Sequence, residues 1–206
     1  MEPEEFTTDF AMALIAADAR SPQAVNARSG VAFRPGIGPH SEAETVRLVG
    51  AELEILRPLA YRGRIAYAVP YPEASKQKCD LRIGASPAWD WAIEVKMLRI
   101  LGDNGKANDN ILMHILSPYS EHRSALTDCD KLSRSALGRR KMILIYGYES
   151  AGWPLATAID AFESLALRRV SMSTRRTTAF EGLMHPVHRS GKVFAWEIGP
   201  LSPTCK

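Results

Sequence analysis

Lys78–Leu98 reads KCDLRIGASPAWDWAIEVKML, and the fold turns on how this stretch is read. Two alternating runs flank a turn at Pro87, the pattern of a β-hairpin. Cys79, Leu81 and Ile83 take one phase of the first run, and Ile93, Val95 and Met97 take one phase of the second. Asp80, Glu94 and Lys96 take the other phase. Residues two apart in a strand point to the same side, about 6–7 Å from each other. The three charged residues are therefore expected on one face, with the apolar set packed into a core. A turn centred on Pro87 puts Asp80 directly across from Glu94. Like charges directly opposed destabilise a sheet, so a positive group is expected between them, and a divalent cation is the simplest.

Working outward, Ser41 opens a helix, SEAETVRLVGAELEILRP, that ends near Pro58. Ser41 and Glu44 form an S-x-x-E capping box. Its apolar residues fall into two stripes, Val46, Val49, Leu53 and Leu56 on one, and Leu48, Ala51 and Ile55 on the other. Glu44 shares a sector with the second stripe and could project into a site at the sheet surface, although the capping box explains the same residue. Residues 64–71 read as a strand stopped by Pro70 and Pro72. Beyond the hairpin, GDNGKANDN (102–110) reads as a turn and ILMHILSPYS (111–120) as a helical turn or cleft floor. A helix is expected over 121–137, with Gly138 as its stop, then a buried strand in KMILIYGY (141–148). A helix over 155–169 carries Leu155, Ile159, Phe162, Leu165 and Leu167, and two short strands follow in 177–201 around Arg189-Ser190-Gly191. At the other end, residues 4–19 suggest a helix. Residues 20–40 suggest an ordered loop rich in Pro and Gly, whose RPGIGPH (34–40) lacks the Gly-Lys-Ser/Thr of a phosphate loop. Arg28, Arg34 and His40 could approach a ligand from it.

The 206 residues, 46% apolar and 24% charged, suit one globular domain. The expected division is an extension over 1–40, a catalytic core over 41–148 and a second extension over 149–206. No apolar run approaches the roughly 20 residues of a membrane span. The acidic start, MEPEEFTTDF, is unlike a secretory or transit peptide, so a cytoplasmic location is expected. Cys79, Cys129 and Cys205 form no CxxC pair, which argues against zinc and against a disulfide framework. The net charge of +3 points to no particular partner. The basic groups Arg139-Arg140-Lys141, Arg168-Arg169 and Arg175-Arg176 could meet phosphates or form a solvated face.

The coarse order is that of an α/β protein with a mixed central sheet. Two carboxylates and a lysine on one strand face suit metal-assisted phosphodiester hydrolysis. A surface salt-bridge ladder is the plainer account, but the apolar flanks speak for a buried sheet. Asp80, a gap of 13 residues, and Glu94-Val95-Lys96 inside WAIEVKML resemble the motif of the PD-(D/E)XK nuclease superfamily, the restriction-endonuclease-like fold. That fold has an αβββαβ core, the order read from residue 41 to residue 148. The resemblance implies that Asp80 and Glu94 bind Mg²⁺, or Mn²⁺ in its place, and that Lys96 is the catalytic lysine. It also implies that the Val95 carbonyl faces the metal and that Glu44 adds a carboxylate from the first core helix. Cys79 stands where the family commonly has proline.

The function expected is a metal-dependent endonuclease, acting on DNA in restriction, phage defence, repair or recombination. Nothing distinguishes DNA from RNA by a contact to the 2′-hydroxyl. A homodimer fits the habit of many nucleases, and the first 40 residues could instead bind a partner protein that supplies specificity. The alternative is a non-catalytic nucleic-acid-binding or assembly module of the same fold. His114, His122, His185 and His188 share no spacing with a nucleophile, and no GxSxG is present. Asp128 and Asp130 read as solvated helix acids. Trp89 and Trp91 read as core residues beside the turn, with base stacking as the functional option. Tyr119 and Ser120 precede a helix N-terminus that could meet a phosphate.

Overall fold

The computed structural model describes residues 1–150, 152 and 154–200. Leu201, where the expected tail ends, and Cys205 lie outside the described residues. Seven strands form one sheet: β1 (Ile65–Tyr71), β2 (Ala74–Gly84), β3 (Trp89–Leu98), β4 (Arg140–Tyr148), β5 (Ser171–Met172), β6 (Arg176–Phe180) and β7 (Gly191–Gly199). Their order is β1-β2-β3-β4-β7, and β5 and β6 both pair with the outer edge of β7. Only β3 and β4 run parallel, and the remaining pairs are antiparallel. The α/β class and the mixed sheet are thus as the sequence suggests.

Helices cover both faces. On one side lie α1 (Pro3–Ala19), α2 (Glu42–Leu56) and the single turn α3 (Pro58–Tyr61). They bury Phe6, Phe10, Leu14, Val46, Val49 and Leu53 against Ile83, Ile93, Val95, Leu144 and Tyr146. On the other side α5 (Ala125–Arg134) and α6 (Leu155–Ala166), with the short α4 (Met113–Leu116), pack Leu126, Leu132, Ile159 and Phe162 on Ala92, Ile143, Ile145 and Trp196. Alternation in β4 feeds both layers, since Met142, Leu144 and Tyr146 serve the first and Ile143 and Ile145 the second. Burying a side chain such as Phe10 contributes about 1.5–3 kcal/mol.

Several elements differ from expectation. The helix expected over 121–137 starts at Ala125, because Arg123 is left-handed (φ 46°) and the Ser124 side chain caps the next turn by accepting from Thr127 N at 3.3 Å. Helix α6 stops at Ala166 and leaves Leu165 and Leu167 exposed, so the inward set is Leu155, Ile159 and Phe162. Arg189-Ser190-Gly191 is not the turn of a tight hairpin; it is the entry to β7, and residues 181–190 make the connection. Strand β5, two residues long, carried no periodic signal.

Candidate active site

The hairpin register pairs Leu81 with Ile93, as a turn at Pro87 requires, and shifts only at Gly84 beside the turn. The β2–β3 ladder stops at Leu81. Beyond it β2 stays with β1 while β3 continues along β4, so the sheet forks at Asp80. The Asp80 carboxylate fills the fork, where its Oδ2 accepts from Val95 N at 2.9 Å. On β1, Ala68 takes φ 50° and drops out of the ladder between the Tyr67–Leu81 and Val69–Cys79 pairs. This local kink changes one expectation. Cys79 does not share a core with Leu81 and Ile83; it packs on the α5 side, and they pack on the α1–α2 side.

Glu94 and Lys96 point to the α5 side, which is a covered face and not an open one. Glu94 is 1% exposed. Its Oε1 accepts from the Tyr71 hydroxyl at 2.5 Å and lies 2.6 Å from Lys131 Nζ. Lys131 also pairs with Asp128 Oδ1 at 2.8 Å, and Asp128 Oδ2 lies 2.8 Å from Lys96 Nζ. Lys96 reaches Glu42 Oε1 at 3.5 Å and its own neighbour's carbonyl, Val95 O, at 3.4 Å. Glu42 Oε2 accepts from Met97 N at 2.6 Å. One chain of charge thus links α2, β2, β3 and α5.

Four carboxylates, Glu42, Asp80, Glu94 and Asp128, face two ammonium groups, Lys96 and Lys131. Fully ionised, the cluster carries two excess negative charges. Burial pushes the Glu94 carboxyl well above its ordinary range, and Asp128 and Asp80 push it further, against the pull of Lys131. Glu42 is also raised, by burial first, while Lys96 pulls it down. Burial alone would lower the Lys96 ammonium, but Asp128, Glu42, Asp80 and Glu94 outweigh it and hold the lysine charged.

The structure therefore brings Asp80, Glu94, Lys96 and Val95 together and leaves Glu44 out. Glu44 is exposed and closes the capping box, accepting from Ser41 N at 3.3 Å and Ser41 Oγ at 3.1 Å. The reason lies in the two stripes of α2. Val46, Val49 and Leu53 are buried, whereas Ala51 and Ile55 face solvent, and Glu44 belongs to the solvent stripe. Glu42 stands one turn before Val46 on the buried stripe and takes the position expected of Glu44. Asp128, Lys131 and Tyr71 were also missed. Asp128 is 3% exposed, and its spacing from Ala125 and Leu132 was the signal that it lies on the buried stripe of α5. Asp130, on the other flank, pairs with Arg169 at 2.7 Å.

The remaining candidates have other partners. Trp91 is buried with the Arg140 guanidinium 4.1 Å above its ring, and Arg140 also pairs with Glu2 and Glu197. Arg175 pairs with Asp160 and Glu163, and Arg176 with Glu4, so these basic groups meet carboxylates of the same chain. Arg28 and Arg34 are exposed, and His40 is buried beside Glu44. His122 bonds Ser117 through its Nδ1 at 2.6 Å, and Tyr119 is exposed next to it. No helix among the described residues is long and apolar enough to cross a membrane. Comparison with known families, with curated proteins and with solved structures returned no match.

Proposed function

We propose that this chain is a metal-dependent nuclease of restriction-endonuclease-like architecture that hydrolyses phosphodiester bonds, with DNA as substrate. The observation that carries the reading is the convergence of Glu42, Asp80, Glu94 and Lys96 at the sheet fork. The chain order around it supports the fold. A helix (α2), three antiparallel strands (β1, β2, β3), a crossover helix (α5) and a parallel strand (β4) follow one another in the αβββαβ sequence.

The donor set fits a hard divalent cation. It consists of carboxylate oxygens with the Val95 carbonyl nearby, and its excess of two negative charges is what Mg²⁺ or Mn²⁺ would neutralise; no three of these carboxylates stand within 4.8 Å of one another, so they would have to draw together around the ion. Asp80 and Glu94 would hold the ion, with Glu42 beside them. A divalent ion so bound supplies a polarised phosphoryl oxygen and a water acidified toward neutral pH. The chain's own groups do the rest. Lys96, held charged by four carboxylates, orients the attacking water and offsets charge developing on the phosphate. Lys131 also pairs with Asp128, so its ammonium would keep a partner were Glu94 drawn onto an ion. Tyr71 anchors Glu94 from β1.

The test is Mg²⁺-dependent nicking of supercoiled plasmid by the wild-type chain, with Asp80→Ala and Lys96→Ala as controls. Cleavage that both substitutions leave unchanged would sink the assignment. One observation favours the alternative, a non-catalytic nucleic-acid-binding module: Lys131 already occupies Glu94 Oε1 at 2.6 Å. That reading expects DNA binding indifferent to Mg²⁺ and no cleavage of DNA or RNA.

A further inference from the structure

Far along the chain from these residues, two imidazoles are buried together. His185 and His188 are each 1% exposed and stack at 4.8 Å with 19° between their planes. They flank Pro186-Val187 in a turn closed by His188 N on His185 O at 3.2 Å. Their neighbour is Asp103, from the turn that follows β3, whose Oδ1 lies 3.0 Å from His188 Nε2. His185 instead accepts from Val187 N through its Nδ1 at 3.3 Å, which leaves its Nε2 free of a protein partner among the described residues.

The surroundings are shaped to hold this pair. A Cβ on Gly38 would fall 2.6 Å from His188 Cδ2, and one on Gly36 would fall 3.1 Å from His185 N. The glycines of RPGIGPH therefore make room for the histidine turn, which gives that buried stretch a role unrelated to phosphate. Asp18 ties the two segments together, accepting from Ile37 N at 2.8 Å and from Met184 N at 2.7 Å. Arg99 stands 3.8 Å behind Asp103 and donates to Gly38 O at 2.7 Å.

We propose that Asp103, His185 and His188 form a second, separate metal site for a transition-metal ion of the zinc type. One atom from each residue lies within 4.8 Å of the other two. Zinc bonds of ~2.0–2.1 Å set ligand atoms roughly 3.3 Å apart around one ion, so binding would draw the three in from separations of at most 4.8 Å. Imidazole nitrogen with one carboxylate suits zinc better than magnesium, which prefers oxygen. Three protein ligands leave a fourth position for water. The ion would staple the loop after β3 to the loop before β7, and its binding energy would be folding energy. The lack of a CxxC pair excludes only cysteine-based zinc sites, and these ligands are imidazole and carboxylate.

The test is metal content after incubation with Zn²⁺ and dialysis, together with the visible absorption of the Co²⁺-substituted chain. The wild type should keep one zinc per chain and show ligand-field bands of low-coordinate cobalt. His188→Gln and Asp103→Asn should each weaken zinc binding about 10–100-fold, and Glu94→Gln should keep it. Should His188→Gln misfold by circular dichroism, Asp103→Asn, at a partly exposed turn position, decides. Wild-type protein without zinc or cobalt bands would overturn the site. So would full zinc retention in folded Asp103→Asn, or loss of zinc in Glu94→Gln, which would place the ion among the carboxylates of β2 and β3.

Discussion

Replacing Glu94 by Gln and replacing Lys96 by Met each remove one ionisable group from the same buried cluster, yet they should move stability in opposite directions. The cluster holds four carboxylates and two ammonium groups. Glu94→Gln leaves three ionisable carboxyls against two ammonium groups and keeps a side-chain oxygen that can still accept from Tyr71 and Lys131. It relieves a group whose charged form is disfavoured by burial, by Asp128 and by Asp80. Relief of this kind is worth about 1–2 kcal/mol. At roughly 2–4 °C per kcal/mol for a chain of this size, the metal-free melting temperature near neutral pH should rise by about 2–8 °C. Lys96→Met leaves four carboxylates against one ammonium and should cost about 3–5 kcal/mol, lowering the melting temperature by roughly 6–20 °C. The sign with pH follows. The folded-state pKa of Glu94 is raised above its ordinary 4.5, so its contribution is fully present below that value and is lost as pH rises through the folded one. The advantage of Glu94→Gln should therefore vanish toward about pH 4.5 and grow toward neutrality. Circular-dichroism melts in EDTA across this range measure it. Adding Mg²⁺ should stabilise the wild type, by about 2.7 kcal/mol at a hundredfold excess over Kd, and Glu94→Gln much less. A Glu94→Gln chain that melts below wild type in EDTA at neutral pH would refute the reasoning, because the pair with Lys131 would then outweigh the excess charge.

Three further outcomes are expected. Glu42→Ala should lower plasmid cleavage about 10–100-fold, whereas Glu44→Ala should leave cleavage unchanged and cost about 0.5–2 kcal/mol of helix capping, read from cleavage time courses and melts of the same samples. Cys79, its thiol pushed up to about 12 by burial and by Glu94 and Asp80, and the buried Cys129 should resist alkylation in the native state and react only in denaturant, as peptide mapping by mass spectrometry would show. Gly38→Ala should cost about 1–3 kcal/mol in a urea melt through its clash with the His188 ring.

Much of the frame could be read from local signals. The capping box at Ser41, the end of β1 before Pro72 (although the strand passes through Pro70), the register around Pro87 and the apolar run of β4 all depend on residues close in sequence. The site was legible only where strand alternation governs it, at Asp80, Glu94 and Lys96. Glu42, Tyr71, Asp128 and Lys131 come from three other elements, and the inclusion of Glu42, Asp128 and Lys131 depends on which helix face meets the sheet. That choice is tertiary. On α2 two stripes were available, and the packing of α1 selected the Val46–Val49–Leu53 stripe. The histidine turn shows the same limit. Asp103 and His188 are 85 residues apart, and no periodicity links a turn after β3 to a loop before β7.

The fork at Asp80 explains why the hairpin tolerates a charge pattern that a regular sheet rejects. Continuing the ladder past Leu81 would set Asp80 against Glu94, two carboxylates opposed at the centre of a buried sheet. The chain instead parts β2 from β3 at that residue. Parting would orphan the Val95 amide, which costs about 1–3 kcal/mol when buried, and the Asp80 carboxylate takes that bond at 2.9 Å. The same carboxylate that makes the ladder untenable thereby repairs the break. The opening admits Lys96 and Glu42 to the end of β3 while Glu94 stays under α5. An unbroken β2–β3 ladder would have filled the space that the proposed divalent ion and phosphate need. The irregularity of the sheet at Asp80 and the chemistry assigned to Asp80 thus have one physical cause.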